Sequence, residues 1–351
     1  MNQVKEPAKP TWTGDQLDSD LPPEIEAPYF DRDLDAWVLS RHADIMAAFR
    51  SPSLSLAGPN HKKHSESNGE SSRLKMREET LDALCPAQLR AWRERLTPEV
   101  QTLADNLPVD RPVDAIGEYS RPLCLVLAAM ATGIELQEAQ SLEEKAQLVS
   151  AAAAEPYDTN LHACAKSVNT ELGAHFPSGP ETLRGPGFVA LSQTLLRMLG
   201  NAWFALLRHP REWRHLHLQP ELMGPAIEEL LRFAGLARIL FRTATEDIDI
   251  NGSLIREGDR MILRIIAANR DPDRYRDANQ LDITRRGAGH LTLGAGLHSC
   301  TGASLIRMGA VTITHPLLKR FASAQLAQPV EWHGGSGFRS PLSLWVHLSE
   351  G

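Results

Sequence analysis

Between residues 291 and 310 the chain reads LTLGAGLHSCTGASLIRMGA, its densest concentration of reactive and backbone-permissive residues. Gly294, Gly296 and Gly302 bracket a single cysteine, Cys300, with His298 two positions before it. Ala303, Leu305, Ile306 and Met308 then recur at helical spacing. The pattern predicts a tight loop that delivers a thiol to the start of a helix. There, backbone N–H groups and the positive end of the helix dipole favour the thiolate. Gly294 and Gly296 admit backbone angles or approaches that a side chain blocks, and Gly302 lets the helix pack against something flat. A thiolate presented this way suits nucleophilic attack or one-point ligation of a large metal complex. Zinc needs three or four protein ligands, and no other Cys or His cluster supplies them. A structural cysteine in a Gly-rich turn is the plain alternative.

Other candidates are weaker when read singly. Glu229-x-x-Arg232 in AIEELLRFA is a common solvated helix pair. Arg73 and Arg77 fall on one helical face, where they repel unless an anion lies between them; a solvated basic turn fits equally well. Gln193, Thr194, Arg197 and Asn201 share a stripe of an otherwise apolar helix, as any polar helix face does.

The run G-A-G-L-H-S-C-T-G-A-S-L-I-R closely resembles the haem-binding signature of the cytochrome P450 family. The resemblance covers about residues 28 to 350 and is strongest from 198 to 310. It implies that Cys300 is the proximal thiolate ligand of haem b, iron protoporphyrin IX, a ligand that pushes electron density onto the iron. It further implies that Leu293 stands where the family usually has Phe, that Gly294 and Gly302 shape the loop, and that His298 bonds a haem propionate. Arg242, in LFRTATEDI, matches a propionate-binding arginine, and Arg73-x-x-x-Arg77 matches a His-x-x-x-Arg pair on the helix that crosses the haem. Glu229 and Arg232 match the buried pair behind the cysteine loop. Gln280 stands where an Arg or His often completes a triad with them, so a weaker network is expected.

On the oxygen side the resemblance departs most. Ala190-Leu191-Ser192-Gln193-Thr194 aligns with a segment that usually reads Ala/Gly, Gly, any residue, acid, Thr. Thr194 is kept and takes the role of hydrogen-bonding dioxygen or an ordered water. Gln193 replaces the acid and cannot relay a proton by ionising. Leu191 replaces the Gly that normally permits the helix to bulge.

The elements that must position these groups are mostly helical. Apolar residues three and four apart predict helices over 73–83, 86–106 and 114–132, with a weaker Ala-rich one over 136–155. The stretch FVALSQTLLRMLGNAWFALLRH, 188–209, is apolar nearly all round and reads as a helix through the middle of a domain. Strand patterns appear late, between 238 and 268 and over 339–348, with Asn251-Gly252 as a hairpin signal. The expected fold class is mainly α with a minor β-sheet region, the cytochrome P450 fold in a single domain over 26–351. Residues 1–25 read as a flexible arm, and 51–73 and roughly 150–187 read as trimmed or irregular segments over the distal pocket.

Composition narrows the function classes. Thirty-seven basic and 44 acidic residues give a net charge of −7, a poor footprint for nucleic acid or anionic membrane. The longest apolar run, Leu123 to Ile134, is too short to span a bilayer. Four scattered cysteines argue against a disulfide framework, so a reducing cytoplasm is expected. The reading is a haem-thiolate monooxygenase that oxidises a small organic substrate with dioxygen and electrons from a soluble ferredoxin-type or flavin-type donor. Arg73, Lys75, Arg77, Arg90, Arg93 and Arg286 are candidates for the face that meets the donor. The alternatives are peroxide-driven oxidation, oxidative coupling or redox-neutral rearrangement at the same haem, and a non-catalytic haem scaffold.

Overall fold

Helix Arg121–Thr132, RPLCLVLAAMAT, is apolar on nearly every face and is buried accordingly, with Leu123, Leu127 and Ala128 no more than 2% exposed. Around it pack the helices that carry the candidate residues. The computed structural model describes residues 24–56, 69–176, 180, 183–287 and 289–350, with the side chains of 69–73 left out. The arm expected over 1–25 therefore lies outside the described residues except for its last two.

Gly185–Val189, Ala190–Leu195 and Leu196–Arg208 run on without a break as one distal helix. Its middle segment is a π-turn, the bulge that Leu191 was expected to suppress. The difference has a local cause. The Ser192 hydroxyl donates to the Phe188 carbonyl at 2.7 Å, a back-bond that competes with the helical ladder. Leu191 meanwhile gains burial, at 2% exposure. Helix Ala303–Arg320 crosses the same core. Gly309 lets it pass close: a Cβ there would sit 2.7 Å from Leu127 Cδ2 and 3.0 Å from Leu195 Cδ2. Side-chain bonds from Tyr119 Oη to the Ile313 carbonyl and from Trp203 Nε1 to Thr314 Oγ1 help pin this helix, and Trp213 Nε1 donates to the Phe321 carbonyl just past its end.

Gly69–Ala83, Pro86–Asp105, Leu136–Ser141 and Glu143–Ala154 match the expected helices to within a few residues. Among the described residues of 150–187 an unexpected helix appears, Thr159–Gly173, whose Asp158 side chain accepts from the Leu161 N–H. Five strands form the main sheet in the order Tyr29–Asp31, Ala36–Leu39, Arg260–Arg264, Ile239–Ala244, Leu54–Leu56. Only the Ala36–Leu39 and Arg260–Arg264 pair is parallel. Ile248–Ile250 and Ser253–Ile255 form the expected hairpin, with positive φ at both Asn251 and Gly252. Trp332–His333 pairs with Ser340–Pro341, and Trp345–Ser349 lies between Val113–Asp114 and Ser323–Leu326. Among the described residues no helix is long and apolar enough to cross a membrane.

Candidate active site

The Cys300 loop closes through its own backbone. Cys300 N–H donates to the Leu293 carbonyl at 2.7 Å, and Gly294 N–H donates to the Leu291 carbonyl at 2.9 Å. Gly294 has φ of +68°, and any Cβ there would collide with the His298 carbonyl. This position therefore requires glycine. Cys300 is exposed on one side, three residues ahead of helix Ala303–Arg320. Its thiol titrates higher than usual, contrary to the expectation from the loop and dipole alone. Burial is the dominant influence, and it outweighs the Gly302 N–H and the positive charges of Arg307 and Arg77. A sulfur in these surroundings becomes an anion when a further positive charge, such as a metal ion, faces it. Among the described residues no three His, Cys, Asp or Glu side chains come together as a metal-binding group. Cys300 thus offers a single ligand.

Cationic side chains converge on the same loop. Arg77 donates to the Ser299 carbonyl at 2.7 Å and to its hydroxyl at 2.6 Å. Arg242 reaches from strand Ile239–Ala244 so that its guanidinium lies 5.4 Å from the Phe49 ring centroid. The His298 ring lies 6.3 Å from the same centroid. Phe49 thereby gathers two side chains that stand 56 residues apart in the sequence. Arg73 lies one turn before Arg77 on helix Gly69–Ala83, with its side chain outside the described part.

The distal helix carries the remaining candidate residues. Its residues are buried from Gly187 to Ala205 except at Ala190, Thr194, Arg197 and Phe204, which stay partly open. Ala190, Thr194 and Arg197 fall at i, i+4 and i+7, so the partly open positions share one narrow stripe. Gln193 is off this stripe, 2% exposed, with Nε2 lacking a hydrogen-bond partner. Asn201 is buried, and its Nδ2 donates to the Arg339 carbonyl at 2.9 Å. A one-sided sulfur among cationic side chains is compatible with the anionic, metal-bearing cofactor that the resemblance implies.

Behind the loop, Arg232 and Glu229 form a buried bidentate pair at 2.7 and 2.8 Å. The third member is Arg285, whose Nε lies 3.2 Å from Glu229. Gln280 contributes only its backbone carbonyl, which accepts from Arg232 at 3.1 Å. The weak network expected from Gln280 is therefore a complete one, built from an arginine five residues further on. A second cluster joins Glu228 to Arg307 at 2.6 Å and to His290 at 3.3 Å. Burial opposes the Glu228 charge, but bonds from His290 and Arg307 prevail and hold its carboxyl at about 2.

Comparison with known proteins agrees with this geometry. Residues 218–331 match the family model described as Cytochrome P450. The chain is 40% identical over 144 residues to the biotin biosynthesis cytochrome P450 of Bacillus subtilis, covering 41% of this chain and 36% of that one. Such local matches span less than two fifths of those relatives' own length. Cytochrome P450 107B1 of Saccharopolyspora erythraea is 27% identical over 84% of both chains. The crystal structure of P450BioI bound to an acyl carrier protein ligated with hexadec-9Z-enoic acid superposes with a TM-score of 0.81 at 23% identity, covering 92% of this chain and 94% of that one. Fold, signature and local identity agree: residues 218–331 carry the sequence pattern of the cytochrome P450 family, and the fold is that of cytochrome P450 structures.

Proposed function

We propose that this protein is a haem-thiolate monooxygenase acting on a small organic substrate. The family brings a cysteine-ligated iron protoporphyrin IX, which when bound supplies the activation of dioxygen by two electrons. The observation that carries the reading is the lone Cys300, open on one side, beside Arg77 and His298. Cys300 would ligate the iron, while His298, Arg242, Arg77 and Arg73 would hold the propionates. Leu293, Gly294 and Gly302 keep the sulfur in place. Thr194 lies on the partly open stripe of the distal helix, where its hydroxyl would hold a water or the reacting oxygen in position. One oxygen atom enters the substrate and the other leaves as water, with the electrons drawn from a soluble ferredoxin-type or flavin-type donor.

One observation favours a second reading. The distal helix, from Gly185 to Arg208, contains no carboxylate, and Gln193 is buried away from the open stripe. No side chain of this helix relays a proton by ionising, a deficit that matters less when peroxide brings its own protons. Reconstitution with haem tests the main reading. The reduced carbonyl adduct of the parent protein is expected to absorb as a thiolate complex, and Cys300→Ser is expected to lose that absorbance. An imidazole-type adduct in the parent sinks it. Turnover that needs a reductant and dioxygen supports the monooxygenase; turnover with peroxide alone supports the second reading.

A further inference from the structure

Two arginines behind the cysteine loop, Arg232 and Arg285, are matched by the acid Glu229. Arg197 is different. Among the described residues no carboxylate lies within ion-pair distance of it, and its Nη1 is buried without a hydrogen-bond partner. Burial holds its guanidinium below the usual arginine range, with no acid to raise it. Its charge falls instead on another potential cation, His333, whose ring titrates low through burial first and Arg197 second.

The position of Arg197 indicates what the charge is for. The stripe of the distal helix continues past Arg197 to Asn201 and Phe204, where hairpin Trp332–His333/Ser340–Pro341 covers it. Asn201 bonds the Arg339 carbonyl, and the Phe204 ring lies 4.9 Å from the Trp332 ring. Arg197 is therefore a partly open position one turn before the first contact with the hairpin, at Asn201. It stands about 4.5 Å along the helix axis from Thr194, three residues at 1.5 Å each. A chain that keeps an uncompensated cation inside its fold loses stability by it, and such losses concentrate where ligands bind.

We infer that Arg197 is a specificity-determining residue that receives the carboxylate of an organic-acid substrate, leaving the Thr194 end of the stripe for the carbon to be oxidised. The inference rests on the haem-thiolate reading and names the substrate class for that site. The planar guanidinium fork matches a carboxylate in two parallel bonds. Burial at Nη1 keeps water from such a pair, which strengthens it.

The test uses haem-loaded protein whose reduced carbonyl adduct has first been recorded, so that failure of the haem reading is recognised separately. Dodecanoate, 4-butylbenzoate and indole-3-acetate are titrated against their primary amides, by haem absorbance and by calorimetry. At least one acid is expected to bind about 10- to 100-fold more tightly than its amide, the range for a charge-assisted bond in a sheltered site. Arg197→Leu removes that preference, and Arg197→Lys keeps part of it. Arg197→Leu is also expected to melt at a higher temperature than the parent, since it deletes a desolvated and unmatched charge. The inference is overturned if no acid outbinds its amide, or if Arg197→Leu melts lower and leaves the preference intact. Tighter binding by dodecyl phosphate than by any acid would replace carboxylate with phosphate and overturn it as well.

Discussion

Replacing Arg232 with Met keeps most of the side chain's length and apolar stem while deleting its five donors. In the native fold those donors serve four partners: Glu229, and the carbonyls of Asn269, Ala278 and Gln280, at 2.7 to 3.1 Å. Arg232 is 1%, Glu229 2%, Asn269 1% and Ala278 4% exposed, so only the Gln280 carbonyl lies at the edge of this buried junction. Breaking a buried ion pair by removing one partner costs about 3–5 kcal/mol. Glu229 keeps Arg285 Nε and the Asp282 N–H, which draws that figure to its lower end. Three stranded carbonyls cost about 1–3 kcal/mol each when fully unserved, and members of one network do not add. The expected loss is about 5 kcal/mol, comparable to the lower end of a domain's whole stability. Arg285→Gln makes the contrast. Arg285 is more exposed, and its loss leaves the bidentate pair intact, so about 1 kcal/mol is expected. Urea midpoints by far-UV circular dichroism, with and without haem, measure both. Equal shifts for the two variants, or an Arg232→Met protein as stable as the parent, refute the claim that this junction locks 269–285 onto helix Met223–Phe233.

Two further outcomes are expected. Burial first, and then Arg274, holds His42 below its usual pKa despite its bond to the Gly289 carbonyl. The unfolded chain therefore takes up the proton first, and the stability linked to a neutral His42 is present above about pH 6.5 and lost as pH falls below it. The melting-temperature advantage of the parent over His42→Gln should shrink between about pH 7 and pH 5, and a constant gap counts against this. Lys75, Arg90 and Arg93 are exposed on the helices beside the Cys300 loop. Reversing all three charges should slow reduction by an acidic ferredoxin several-fold, more at low salt; an unchanged rate removes this face as the donor's docking surface.

What the sequence made legible was local. The Cys300 loop was readable because glycine requirements and a thiol at a helix start are encoded within a dozen residues. The Asn251-Gly252 hairpin was readable for the same reason, and the distal helix because few surroundings other than a core suit so apolar a segment. What escaped depends on packing. Arg285 meets Glu229 only after 269–285 folds back across helix Met223–Phe233, so its distance along the chain hid it while Gln280 drew attention. The helix Thr159–Gly173 buries only Ala165 and Leu172, too sparse an apolar period to stand out, although Asp158 was a usable cap signal. The direction of the Cys300 titration turned on desolvation, which no spacing reports. Arg197 was visible as one of four polar residues on a stripe, yet its lack of an acid became apparent only once its neighbours were in place.

The π-turn at Ala190–Leu195 also acts as a phase setter. Each residue of an ordinary helix advances the face by about 100°, so one surplus residue rotates everything after it relative to everything before. Upstream, Phe188 and Val189 are seated in the core; downstream, Asn201 and Phe204 engage the hairpin. Both seatings hold together only because the angular offset between them is absorbed in that one wide turn. Excising Leu191 would restore even pitch and force a choice between the two. Thr194 and Arg197 would then be swung away from the direction in which they now jointly point.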